Sequence, residues 1–115
     1  MRKVVINGCY GGASLSKEAC EFMDLDWDGY YYLSEKNRTD SKLVECVETL
    51  GKQASGEGSS LYIEEYDDEN YDYEIDEHEG YETLRLIPII NLARIMEMSE
   101  GEIKIYFDKL GVLYK

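Results

Sequence analysis

An α+β fold, with a mostly antiparallel four- or five-stranded sheet, one main packed helix and a C-terminal helical pair, follows from three features of the sequence. Short β-branched and aromatic runs, Lys3–Ile6, Tyr30–Leu33 and Leu61–Ile63, lie between turn signals. Residues 41–54 repeat Leu43, Val44, Val47, Leu50 and Ala54 at helical spacing. Residues 71–76 alternate tyrosine or isoleucine with a carboxylate, the period of a half-buried strand.

Taken in order, Lys3–Ile6 reads as a buried strand stopped by Asn7-Gly8. Ser16 caps a helix running to about Met23, with Leu15 and Cys20 as a hydrophobic staple across the cap. Trp27-Asp28-Gly29 turns into the aromatic strand Tyr30–Leu33, and Thr39 or Asp40 caps the helix at 41–54, whose apolar stripe belongs on a sheet. Residues 55–59 read as a flexible loop before the strand that opens at Leu61. Tyr71, Tyr73 and Ile75 share one face, Asp72, Glu74 and Asp76 the other, and residues 77–80 form a hairpin turn from which Tyr81, Thr83 and Arg85 return. Pro88 suits the first turn of a helix, so Ile89–Met96 and Glu100–Leu110 read as two helices joined by a short turn.

The length of 115 residues and 43% apolar content fit one compact domain. It divides into an acidic α+β unit at 1–86 and a helical pair at 87–115, appended to that unit or packed on it. With 25 acids against 12 bases the net charge is −13, a field that opposes nonspecific binding to nucleic acid or anionic lipid and favours basic partners. No apolar run reaches the roughly 18 residues of a membrane span, and the N-terminus lacks a signal-peptide core, so a cytoplasmic protein is expected. Cys9, Cys20 and Cys46 form no CxxC pair, which points to reduced thiols and away from a disulfide framework or zinc site. The sequence gives no reason to expect a metal or cofactor.

The charge is local. Residues 1–57 hold 7 bases and 10 acids, residues 86–115 hold 4 of each, and residues 58–85 hold 1 base and 11 acids. A charge run is ordinarily a solvated face. Here tyrosines interleave with it, and disordered acidic tails are poor in aromatics, so the stretch reads as folded and as a partner-binding surface. Glu65, Asp67, Asp68, Glu69, Asp72, Glu74, Asp76 and Glu77 would steer a basic protein, while Tyr66, Tyr71 and Tyr73 would anchor it. Carboxylates on an exposed strand lack the pocket that would split their pKa values for acid–base work.

A second candidate is the loop between strand and helix, Asn7, Gly8, Cys9, Tyr10, Gly11 and Gly12, whose N–H groups could cradle an anion with help from Lys17. It matches neither a Walker loop nor GxGxxG, and a structural turn is the simpler reading. Cys9 as a nucleophile needs a base, and His78, the single histidine, falls in a hairpin turn.

VVINGCYGGASLS, RTDSKLVECVETLG and YEIDEHEGYETL together resemble a family of small bacteriophage and mobile-element proteins that pair a strand and CYGG loop with a capped helix and an acidic hairpin. The resemblance spans about residues 2 to 85, is most specific at Cys9–Gly12, and implies a phage-type origin more than a chemistry. The chain departs from it by continuing into LARIMEMSEGEIKIYFDKLGV, which is similar to a degenerate helix-turn-helix with Ser99 at the start of the second helix and Glu97 in place of the usual turn glycine. That second helix offers Glu100, Glu102, Ile105 and Asp108 beside Lys104, poor equipment for DNA. Packing, protein contact or a homodimer through these helices is the favoured reading.

The resulting expectation is a noncatalytic phage-type interaction module engaging a basic, nucleic-acid-binding surface of a host protein, as an inhibitor of defence or transcription. The alternatives are small-ligand or nucleotide binding by the CYGGAS loop and a helix-turn-helix regulator.

Overall fold

A computed structural model describes residues 1–89 and 99–109. Strand β1 (Arg2–Asn7) leads through the CYGG loop to α1 (Lys17–Phe22), α2 (Ser41–Leu50) and a 3₁₀ turn (Gly51–Ala54). Strands β2 (Leu61–Tyr66), β3 (Tyr71–His78) and β4 (Tyr81–Pro88) follow, and α3 (Glu100–Lys109) ends the described chain.

The α+β class holds, but the expected four- or five-stranded sheet is two separate antiparallel ribbons, β1–β2 and β3–β4. They stack face to face. Pairing of Val5 with Ile63 and of Asn7 with Leu61 puts these side chains on one face of the first ribbon, with Ile6, Val4 and Tyr66 on the other. Val5 and Leu61 pack with Leu43, Val44, Cys46 and Val47 of α2, while Val4, Ile6 and Tyr66 pack with Tyr71, Tyr73, Ile75 and Leu84 of the hairpin. β1 is therefore covered on both sides, which is why Val4, Val5 and Ile6 are fully buried. Burying each such side chain is worth about 1.5–3 kcal/mol.

Two segments that might have widened the sheet serve other ends. Tyr30–Leu33, expected as a strand, makes a single bridge through Tyr32 to Ser14, with Leu15 N–H donating to Tyr31 O and Leu33 N–H to Ala13 O. The Arg38 backbone reaches β1 at one point, accepting from Val5 N–H at 2.9 Å. The hairpin then meets the first ribbon through side chains, with the Tyr66 and Tyr73 rings 5.4 Å apart, instead of extending it edge to edge.

Local signals act as the sequence implies. Ser16 Oγ accepts from Ala19 N, and the staple residues Leu15 and Cys20 are both buried. Asp40, not Thr39, caps α2, accepting from Lys42 N and Leu43 N. The helix stops at Leu50, four residues short of the expected 54, because Gly51 takes φ 58 and tightens the rest into the 3₁₀ turn. The 55–59 loop is tied down by Gly56 N–H and Ser59 Oγ, both donating to Ser14 O.

Pro88 is the last residue of β4, paired with Tyr71, so it does not open a helix and the strand continues past the expected boundary at 86. The expected helix from Ile89 to Met96 lies outside the described residues from 90 on. α3 begins as expected: Ser99 caps it, its Oγ accepting from Glu102 N and donating to the Glu102 carboxylate.

Candidate interaction surface around the hairpin tip

The three motifs of the sequence converge on one buried polar cluster. Glu82 lies in register with Leu84 and Leu86 on the inner face of β4, a carboxylate on an otherwise apolar row. Such a group demands a partner. Arg38 supplies it: Nη1 and Nη2 donate to Glu82 Oε1 and Oε2 at 2.6 and 2.8 Å, Nη1 also to Val5 O at 3.1 Å, and Nε to Ser34 O at 2.6 Å. The side chains are 1% and 4% exposed. Asn7 N–H donates to Glu82 Oε1 at 2.9 Å, and the Asn7 amide bridges Cys9 O, Gly80 O and Ser60 N–H. Among the described residues no buried side-chain polar atom lacks a partner.

This cluster clamps the hairpin tip onto the CYGG loop. The turn is the two-residue type, Glu79-Gly80, with φ 52 and 90, shorter than the expected 77–80. Gly11 N–H donates to Glu79 O at 3.0 Å, and a Cβ on Gly80 would stand 2.0 Å from Gly12 N. Only glycine permits that contact.

The loop is therefore not the open anion cradle that Asn7, Gly8, Cys9, Tyr10, Gly11, Gly12 and Lys17 suggested. The Gly8 and Gly11 amides are spent on Ser60 O and Glu79 O, and Asn7 is buried in the clamp. Lys17 lines a different cleft, beside Trp27 and Tyr30. Cys9 is half-buried, with its carbonyl taken by Asn7, and His78 is exposed opposite Tyr81.

The acidic stretch is sorted by the strand period. Asp72, Glu74 and Asp76 form an exposed row on the outer face of β3, with residues about 7 Å apart along it. Across from them on β4 stand Ile87, Arg85 and Thr83, and Arg85 pairs with both Glu74 and Asp76. Glu77 accepts from Gly80 N–H, Asp68 pairs with Arg2, and Glu65 lies exposed opposite Lys3. Asp67 folds into the β2–β3 turn, accepting from Asn70 Nδ2 and from the N–H of the exposed Glu69; the Asn70 side-chain bond, with the backbone bonds of Glu69 and Asn70, holds its carboxyl below the usual range.

The tyrosines chosen as anchors face the other way. Tyr66 is 3% exposed, and Tyr71 and Tyr73 are half-buried against the same core cluster. Their faces follow from the alternation that put the acids outside. The exposed rings surround the CYGG loop instead. Tyr62 covers Gly8, Tyr10 stacks on Tyr81 at 5.3 Å, Tyr32 covers Gly12, and Tyr30 stacks on Tyr32 at 5.4 Å. Tyr10, Tyr30 and Tyr32 are each at least 60% exposed. Burial and the hydrogen-bonded Glu64 carboxylate push the Tyr62 phenol up to about 12.

A signal for part of this belt was present in Tyr30-Tyr31-Tyr32. Three successive rings in an extended segment cannot share a face, and it is Tyr31 that turns inward against the core. No family model matches the chain, and no curated protein or solved structure is detectably similar to it. Among the described residues no helix is long and apolar enough to cross a membrane.

Proposed function

We propose that this chain is a noncatalytic, phage-type protein-interaction module whose acidic hairpin and neighbouring tyrosine belt engage a basic, nucleic-acid-binding surface of a host protein. The observation that carries this reading is the meeting of exposed aromatics with excess negative charge at the hairpin. The outer face of the ribbon keeps Asp72, Glu74 and Asp76 against one arginine, in a molecule of net charge −13. Next to its tip stand Tyr10, Tyr81, Tyr62, Tyr32 and Tyr30. Carboxylates speed encounter and reject acidic competitors, and tyrosines supply contact area at low entropic cost. The anchors in this reading are the rings around the CYGG loop, replacing Tyr66, Tyr71 and Tyr73.

The clamp supports it further. A hairpin fixed at its tip by Arg38, Glu82 and Asn7 presents its outer row without an ordering cost on binding. The loop-ligand alternative is weakened by the amides already donated to protein.

The test is capture of basic nucleic-acid-binding proteins from host lysate at about 50 mM and about 0.5 M salt. Capture should be lost at high salt, be displaced by duplex DNA competing for the same basic surface, and fall at least tenfold for D72N/E74Q/D76N. A set of captured proteins unchanged by the triple substitution and by DNA would refute the reading.

A further inference from the structure

One end of the tyrosine belt, Tyr30 and Tyr32, borders a cleft. Between α1, the 27–32 segment and the 55–57 loop lies an open cleft of about 540 Å³. Its walls include Trp27, Tyr30 and Tyr32, and its charged groups are Lys17, Glu18 and Glu57. The Tyr30 and Tyr32 rings touch each other, 5.4 Å apart and inclined by 47°, and both line the cleft with Trp27, which is 39% exposed. None of these rings belongs to the core cluster, and the 13–15 and 31–33 backbones hold Tyr32 in place independently of its ring.

We propose that this cleft receives an arginine side chain of the basic partner; the inference rests on the function proposed above and names the contact that the partner makes there. Aromatic faces attract cations, most strongly tryptophan, and a guanidinium stacks flat on such rings while its N–H groups reach carboxylates in pairs. Glu18 and Glu57 outnumber Lys17, so the local balance is negative, as is the field of the whole chain. A phosphate-bearing ligand would meet the opposite of what it needs. An uncharged planar ligand would leave the two carboxylates unused, whereas arginine engages rings and acids together.

Trp27 is the single tryptophan of the sequence, so its fluorescence reads this cleft directly. The probe is the peptide acetyl-Gly-Arg-Arg-Gly-amide, with the same peptide carrying neutral citrulline in place of arginine, and adenosine monophosphate, as controls. The arginine peptide should give a saturable change in Trp27 emission. Citrulline should weaken it at least tenfold, and Y30L/Y32L or E57Q should weaken it about three- to tenfold, as expected for loss of a cation–π or carboxylate partner at an accessible site. Tyr30 and Tyr32 are 65% and 60% exposed, so the variants keep the fold, and a far-ultraviolet spectrum confirms it. Equal response to citrulline, response only to the nucleotide, or no saturable response would overturn the inference. Loss of the peptide response with lysate capture still sensitive to D72N/E74Q/D76N would remove the cleft and leave the proposed function standing. Capture insensitive to that triple variant would remove the function itself.

Discussion

Arg38 and Glu82, 44 residues apart in sequence, form a two-pronged ion pair that is almost wholly removed from water. The pair joins the loop before α2 to the hairpin and, through Val5 O and Asn7 N–H, both of them to β1. Its position makes it the keystone of the acidic hairpin's attachment.

Breaking the pair from one side leaves a buried charge without compensation. Arg38→Met or Glu82→Gln should each cost about 3–5 kcal/mol, read as a shift of the denaturant midpoint. Arg38→Met combined with Glu82→Gln should cost less than the sum of the single changes, because neither charge is then left behind. Additive losses would show that the two groups do not depend on each other.

Gly80 and Gly51 both have positive φ, yet they differ in surroundings. A Cβ at Gly51 has nothing within 4 Å, so Gly51→Ala should cost only the penalty of holding φ 58 and ψ −127, a conformation that side chains disfavour, about 1–3 kcal/mol. At Gly80 the same atom meets the backbone of Gly11 and Gly12. Gly80→Ala should therefore cost clearly more in thermal melts and detach the hairpin tip, moving the amide resonances of Gly11 and Gly12. Equal costs at the two sites would rule out the clamp.

Tyr62 provides a pH dependence. Burial, followed by the charge and hydrogen bond of Glu64, keeps its phenol protonated to about 12, against 10.0 for the ordinary group. The folded chain thus holds a proton that the unfolded chain has released, so stability is intact below pH 10 and declines as pH rises toward 12. Tyr62→Phe should flatten that decline, and an absorbance titration should lose a phenol ionising near pH 12. An unchanged alkaline limb in the variant would refute the assignment.

The three thiols should separate by access. Cys20 and Cys46 are buried, and burial raises both, with Cys20 adding to the effect on Cys46. Cys9 is half-buried in the loop. A thiol reagent at mildly alkaline pH should modify one cysteine in the folded chain, Cys9, and the other two only on unfolding. Rapid labelling of all three would contradict the packing of α1 against α2.

What the sequence determined by itself was whatever depends on neighbours along the chain. The caps at Ser16 and Asp40, the period of two in β3 and the stop before Gly8 are local, because a capping oxygen or a strand face is fixed within three or four residues. The fate of Glu82 was not read from the sequence, which singled out Tyr81, Thr83 and Arg85 on the returning strand. That Glu82 lies on the inner row with Leu84 and Leu86 and meets Arg38 depends on contacts between segments distant in sequence. The same holds for the tyrosines: alternation says that Tyr71 and Tyr73 share a face, and only the stacking of one ribbon on the other decides that this face is the core. The wide sheet failed for that reason as well. Two strands can satisfy each other's backbone and still bury apolar side chains by packing face to face, and no local pattern separates that arrangement from lateral pairing.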